Sequence, residues 1–149
     1  MTEPFSFTTR ADWLLCDPNG HMRNSAYLDL AVHCRLRYLD ANGFPAAEFA
    51  RRRIGPAVRW DRVDYHREIR HLEEVVAESR LAAASNDLSR FRFANPILRS
   101  AELAAVVTSE GGWLDLAERR LTVPPDGLEA AMWRLPHTDD FEVLPSSLR

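Results

Sequence analysis

Polar and apolar positions alternate at the start of the chain, with Phe5, Phe7 and Thr9 on one side and Ser6, Thr8 and Arg10 on the other. A period of two marks a half-buried strand, so a first strand is expected over residues 5–15. Asp17-Pro18-Asn19-Gly20 then places four turn formers in succession, and the strand must stop there. After the turn the period changes. Ala26, Tyr27, Leu30, Ala31, Cys34, Tyr38 and Leu39 recur at steps of three and four, which puts them on one helix face. Asn24 or Ser25 can cap that helix and Asn42-Gly43 can end it. The spacing predicts a long helix over 25–41 and a shorter one over 46–53.

Period two returns in the second half. Residues 54–69 read as extended, with Gly55-Pro56 expected to delay the start. Residues 74–84 place Val75, Ala77, Ser79, Leu81 and Ala83 on one face, although their alanines suit helix as well. Ser85-Asn86-Asp87 reads as a hairpin turn. Over 88–94, Arg90 and Arg92 oppose Phe91 and Phe93. A last long strand is expected over 103–114, broken or bulged at Gly111-Gly112. Pro124-Pro125-Asp126-Gly127 marks an exit, followed by a short helix over 128–133 and a loosely held tail after Pro136. Strands joined by short turns pair antiparallel. The expected architecture is α+β: a long central helix wrapped by a five-stranded antiparallel sheet. A sheet with open edges and a second face to cover favours a homodimer or a dimer of dimers.

Composition narrows the function classes. At 149 residues the chain suits one domain over 1–149, with its core at about 5–121 and a C-terminal extension at 122–149. Its 19 basic residues against 22 acidic ones argue against a nucleic-acid partner. All 19 cations are Arg, a bias that suits anion binding but also GC-rich codon usage. Cys16 and Cys34 form no pairing motif, no basic-then-apolar leader is visible at the N-terminus, and no apolar run approaches the ~18–20 residues of a membrane span. A cytoplasmic protein without a membrane partner is expected. His66 and His71 share no face and have no acidic or Cys partner at zinc spacing, so no metal is expected.

Chemistry concentrates at Asp17, Asn19, Gly20 and His21: a carboxylate, a carboxamide and an imidazole within five residues, between a strand and a long helix. Backbone N–H groups in such a turn and at a helix N-terminus lack internal partners, and the helix dipole is positive there. They can receive the negative charge that grows on a carbonyl oxygen in acyl transfer. Asp17 would be ionised at neutral pH and available as base or nucleophile. The same residues also make a good surface turn, with Asn24 as a plain cap.

The full string D-x-N-G-H-M-x-N-x-x-Y-L over residues 17–28 resembles the hot-dog-fold thioesterases of the 4-hydroxybenzoyl-CoA thioesterase-like group. It is similar also to the acyl-carrier-protein thioesterases, whose turn reads D-x-N-x-H-x-N-N-x-x-Y. Further on, Val63-Asp64-Tyr65-His66-Arg67-Glu68 and Leu72-Glu73-Glu74-Val75 fall where the family places Y-x-R-P and G-D, but without that proline or that Gly-Asp. The resemblance covers about 11–121. It implies an acyl-CoA thioesterase that releases a free acid and coenzyme A, with acyl-CoA or acyl-carrier-protein thioester as substrate and no separate cofactor. It implies Asp17 as nucleophile or base, Asn19 and His21 as groups that orient and activate water, and the Gly20 and His21 amides as polarisers of the carbonyl. Tyr27 falls on the helix side of the pocket, and Asp64 would approach from a partner subunit. Arg90 or Arg92 could meet the phosphates of coenzyme A, as could Arg99 or the 51–53 run. Two other readings stand beside it. A hot-dog hydratase would carry His five residues after Asp, whereas His21 is four after Asp17; a non-catalytic acyl-thioester-binding dimer would keep the pocket without turnover.

Overall fold

The alternating segments become strands and the three-and-four spacing becomes helix in the computed structural model, which describes residues 5–148. In chain order the elements are β1 (Phe5–Arg10), α1 (Ala26–Ala41), α2 (Ala46–Arg52), β2 (Ile54–Tyr65), β3 (Glu74–Ser85), β4 (Arg90–Arg99), β5 (Glu102–Asp115), β6 (Arg120–Thr122), α3 (Asp126–Trp133) and β7 (His137–Leu144). The sheet has seven strands rather than five. Five of them run in the order β1-β3-β4-β5-β2, all antiparallel; β6 adds to β5, and β7 adds to β3 in parallel. α1 packs against β1, β3, β4 and β5, which confirms an α+β arrangement of helix on sheet.

Several boundaries differ from the expectation, each for a local reason. β1 ends at Arg10, because Asp12 Oδ1 accepts the Leu14 amide at 3.0 Å and turns the chain; Trp13 and Leu14 are exposed. Pro56 does not delay β2, since a strand paired on one side only tolerates a missing donor. β4 continues through Pro96 although it is a central strand. The register sets Pro96 opposite Glu78, and Asn95 Nδ2 donates to Glu78 O at 2.8 Å, replacing the N–H that proline lacks. β5 runs unbroken through Gly111-Gly112, and the bulge falls on β2 between Val58 and Trp60. A Cβ on Gly111 would stand 2.3 Å from Ala57 O, so the glycine is what lets the bulged strand approach. The tail after Pro136 is not loose: β7 pairs with β3, and Ser146 Oγ donates to Asp87.

The core has two apolar halves. One holds Met22, Tyr27, Leu30, Ile69, Val75, Ile97 and Val107 around the start of α1. The other holds Tyr38, Leu39, Leu81, Phe91, Phe93 and Trp113 around its end, closed by α3. Between them runs a polar layer with one residue from each element: Arg35 from α1, Ser79 from β3, Asn95 from β4 and Ser109 from β5, all buried. Among the described residues no helix is long and apolar enough to cross a membrane.

Candidate active site

The Asp17 turn is built by its own hydrogen bonds. Asp17 Oδ1 accepts the amides of Asn19 at 2.9 Å and His21 at 3.3 Å, the Gly20 amide donates to Asp17 O, and the Asp17 amide donates to His21 O at 2.8 Å. Gly20 adopts φ +79°, a left-handed conformation that glycine takes without strain. The segment before β3 holds the turn in place: His71 N donates to Gly20 O at 2.8 Å and Met22 N to Ile69 O at 2.7 Å. The side chain of Asp17 thereby uses one oxygen to fix the turn and leaves Oδ2 without a hydrogen bond to any described residue.

The turn opens into a cleft of about 400 Å³ whose lining includes Asp17, His21, Asn24, Tyr27, Tyr65, His66, Arg67 and Glu68. His21 Nε2 lies 3.3 Å from Glu68 Oε2, both partly exposed. Tyr27 and Tyr65 meet edge to face at 5.2 Å, and Tyr65 Oη donates to Asn24 O at 2.7 Å. Burial holds the Tyr27 phenol above its ordinary range, so it is a neutral wall of the cleft. The N-terminus of α1 ends here with no side-chain cap from Ser25; the Ala26 amide donates to Arg23 O at 3.0 Å, and the amides of Tyr27 and Leu28 have no hydrogen-bond partner among the described residues.

Of the expected residues, the structure brings Asp17, His21 and Tyr27 together. Asn19 is exposed and contributes its amide to the turn rather than its side chain to the cleft. The Gly20 and His21 amides expected to polarise a carbonyl are already bound to Asp17. Asp64 lies on β2, where Arg62 Nη2 donates to Oδ1 at 3.0 Å, and does not line the cleft. Arg90 and Arg92 are elsewhere. Both grip the buried Glu110, at 2.8 and 2.9 Å, and Arg92 also pairs with Glu142; their guanidiniums join β4 to β5 and do not line the cleft. Arg51 and Arg52 bind Glu48, and Arg99 donates to Glu68 O.

Glu68, His66 and Arg67 were not anticipated in the cleft. The departure from Y-x-R-P at residues 65–68 was the available signal, because a Glu standing where the proline belongs gives His21 a partner. No group of three or more His, Cys, Asp or Glu among the described residues is placed to hold a metal ion.

The family model of the thioesterase-like superfamily matches residues 10–132. The chain belongs to that superfamily. Its fold is also that of solved structures with low sequence identity. A Staphylococcus aureus protein crystallised with CoA is 14% identical with a TM-score of 0.81, covering 96% of this chain and 90% of its own. A 1,4-dihydroxy-2-naphthoyl-CoA thioesterase from Synechocystis is 15% identical with a TM-score of 0.79, covering 89% of this chain and 98% of its own. No curated protein matches this chain in sequence.

Proposed function

We propose that this protein hydrolyses an acyl-CoA thioester to a free carboxylic acid and coenzyme A, with Asp17 as the base. The observation that carries the reading is the meeting of Asp17, His21 and Glu68 with the uncapped start of α1 in one cleft. The superfamily and the CoA-bound and CoA-thioesterase structures of the same fold support it. Asp17 Oδ2 accepts a proton from water as the water oxygen bonds to the thioester carbon. The carbonyl oxygen takes the electron pair and is stabilised by amides at the start of α1. Collapse of that intermediate breaks the C–S bond, and the leaving thiolate receives a proton from His21, which Glu68 orients. Arg67, on the cleft lining, pairs through Nε with Glu102 at 3.2 Å and offers its remaining, exposed guanidinium nitrogens to the anionic coenzyme.

A second copy of the chain completes the picture. β2 is an edge strand of the sheet and exposes Val58, Trp60 and Tyr65, so pairing of two β2 edges into a homodimer, or a dimer of dimers, would cover both. Asp64, on that edge, is the residue a partner would bring near the cleft. Both cysteines are free, in keeping with a cytoplasmic protein. The test is thiol release across an acyl-CoA panel, in the unmodified protein and in Asp17→Asn. We expect turnover that falls about 10²–10⁴-fold in the variant. Tight acyl-CoA binding with no thiol release by the unmodified protein would replace this reading with a non-catalytic binding dimer.

A further inference from the structure

The polar layer that divides the core contains one charge whose neighbours do not balance it. Arg35 is 8% exposed. Its Nε donates to Asn95 Oδ1 at 2.7 Å and its Nη2 to Ser109 Oγ at 2.6 Å, and its guanidinium lies 5.1 Å from the Phe93 ring centroid. These partners are all neutral. No carboxylate of a described residue lies within salt-bridge distance, since Glu110 is taken by Arg90 and Arg92. Asp61 makes no direct contact and is joined to Arg35 through Ser109, whose hydroxyl donates to Asp61 Oδ1; its charge offsets only part of the effect of burial. A buried guanidinium without a direct counterion is unfavourable, and burial pushes its pKa down to about 10. Nη1 makes no hydrogen bond to a described residue.

Arg35 also lines a cavity. The cavity measures about 90 Å³ and is walled by Leu36, Leu39, Val58, Phe93 and Trp113, with Glu110, whose carboxylate is held by Arg90 and Arg92, on the same lining. The Trp113 indole Nε1 is buried without an acceptor, a second unused donor on the same walls. The cavity and the cleft share two elements. Tyr27 and Tyr65 line the cleft, while Arg35 on α1 and Val58 on β2 line the cavity. From Tyr27 to Arg35 the helix advances about 12 Å at ~1.5 Å per residue.

We infer that this cavity receives the far end of an acyl group that carries a carboxylate, and that the Arg35 guanidinium is the partner of that carboxylate. The inference rests on the thioesterase reading for what the acyl group is attached to. Apolar walls accept the methylene or ring portion, and the planar fork offers Nη1 to a carboxylate oxygen. A neutral acyl tail would leave the guanidinium as it stands, so the site discriminates through the charge that it lacks.

Calorimetric binding of dodecanedioyl-CoA, whose extended chain reaches about 12 Å beyond the thioester, and of dodecanoyl-CoA to Asp17→Asn, which consumes either only slowly, isolates the remote carboxylate. Dodecanedioyl-CoA should bind about ten- to a hundredfold tighter, and Arg35→Met should abolish the preference. If Arg35→Met does not fold, Arg35→Lys replaces it and should reduce the preference several-fold. Equal or weaker binding of dodecanedioyl-CoA, or a preference that the Arg35 variants leave unchanged, overturns the inference. A preference that persists in an unmodified protein releasing no thiol would instead remove the hydrolase reading and support this site.

Discussion

Two clusters of charged side chains sit at opposite extremes of satisfaction. Around Glu110, both carboxylate oxygens accept guanidinium donors, Arg90 on one and Arg92 on the other, and the group is sealed from water. Around Asp17, one oxygen holds the turn and the other is open, His21 has one partner at 3.3 Å, and the cleft admits solvent. The Glu110 carboxylate has both oxygens occupied; Asp17 keeps Oδ2 for a reacting group. The difference lies in geometry and burial: Glu110 meets guanidiniums 18 and 20 residues away in the chain, whereas Asp17 binds its own turn.

The comparison breaks most visibly at Asp17. Asp17→Asn retains an oxygen to hold the turn but loses the base, so thiol release should fall about 10²–10⁴-fold while the thermal midpoint stays near that of the parent. A large drop in the midpoint would show that Asp17 is a structural carboxylate like Glu110. The converse variant is Glu110→Ala, which takes the buried carboxylate from two half-buried guanidiniums and leaves Arg92 with Glu142. The loss should be measurable by urea unfolding and smaller than the ~3–5 kcal/mol of a fully buried pair, with thiol release per folded molecule little changed.

Acid sharpens the same contrast. Burial alone would raise the Glu110 carboxyl, but hydrogen bonds from Arg90 and Arg92 outweigh it and hold it below its ordinary value. A folded-state value below the unfolded one gives stability that is present above about pH 4.3 and is lost as pH falls through the folded value. Urea midpoints measured from neutral to acid pH should show this loss, and Glu110→Gln should flatten the limb. Arg92→Ala should lower the midpoint while leaving KM for an acyl-CoA within about twofold. A raised KM would return Arg92 to phosphate binding. The smallest effect is expected at Glu68. Its contact with His21 is exposed, where such pairs contribute about 0–1 kcal/mol, so Glu68→Gln should leave stability alone and lower kcat by up to about fivefold through a less well oriented imidazole.

Periodicity and turn chemistry are local, and what they control was legible in the chain: α1, α2, the alternating faces of β3 and β4, the Asp17 turn and the superfamily motif that begins there. β6 and β7 carried no such signal. β7 has no fully buried residue and exists as a strand because the free edge of β3 beyond β1 offers it a ladder. Which charges are spent was decided by the tertiary structure alone. Arg90, Arg92 and Arg35 are equivalent cations in sequence, and only the packing sets two of them on Glu110 and the third among neutral partners. The path of β4 through Pro96 depends likewise on Asn95 reaching across to β3. Local propensity fixes which element a residue belongs to, whereas electrostatic pairing depends on distances between elements far apart in the chain. The Asp17 turn was readable because its determinants lie within five residues; its partner Glu68 reaches His21 only after the chain has folded.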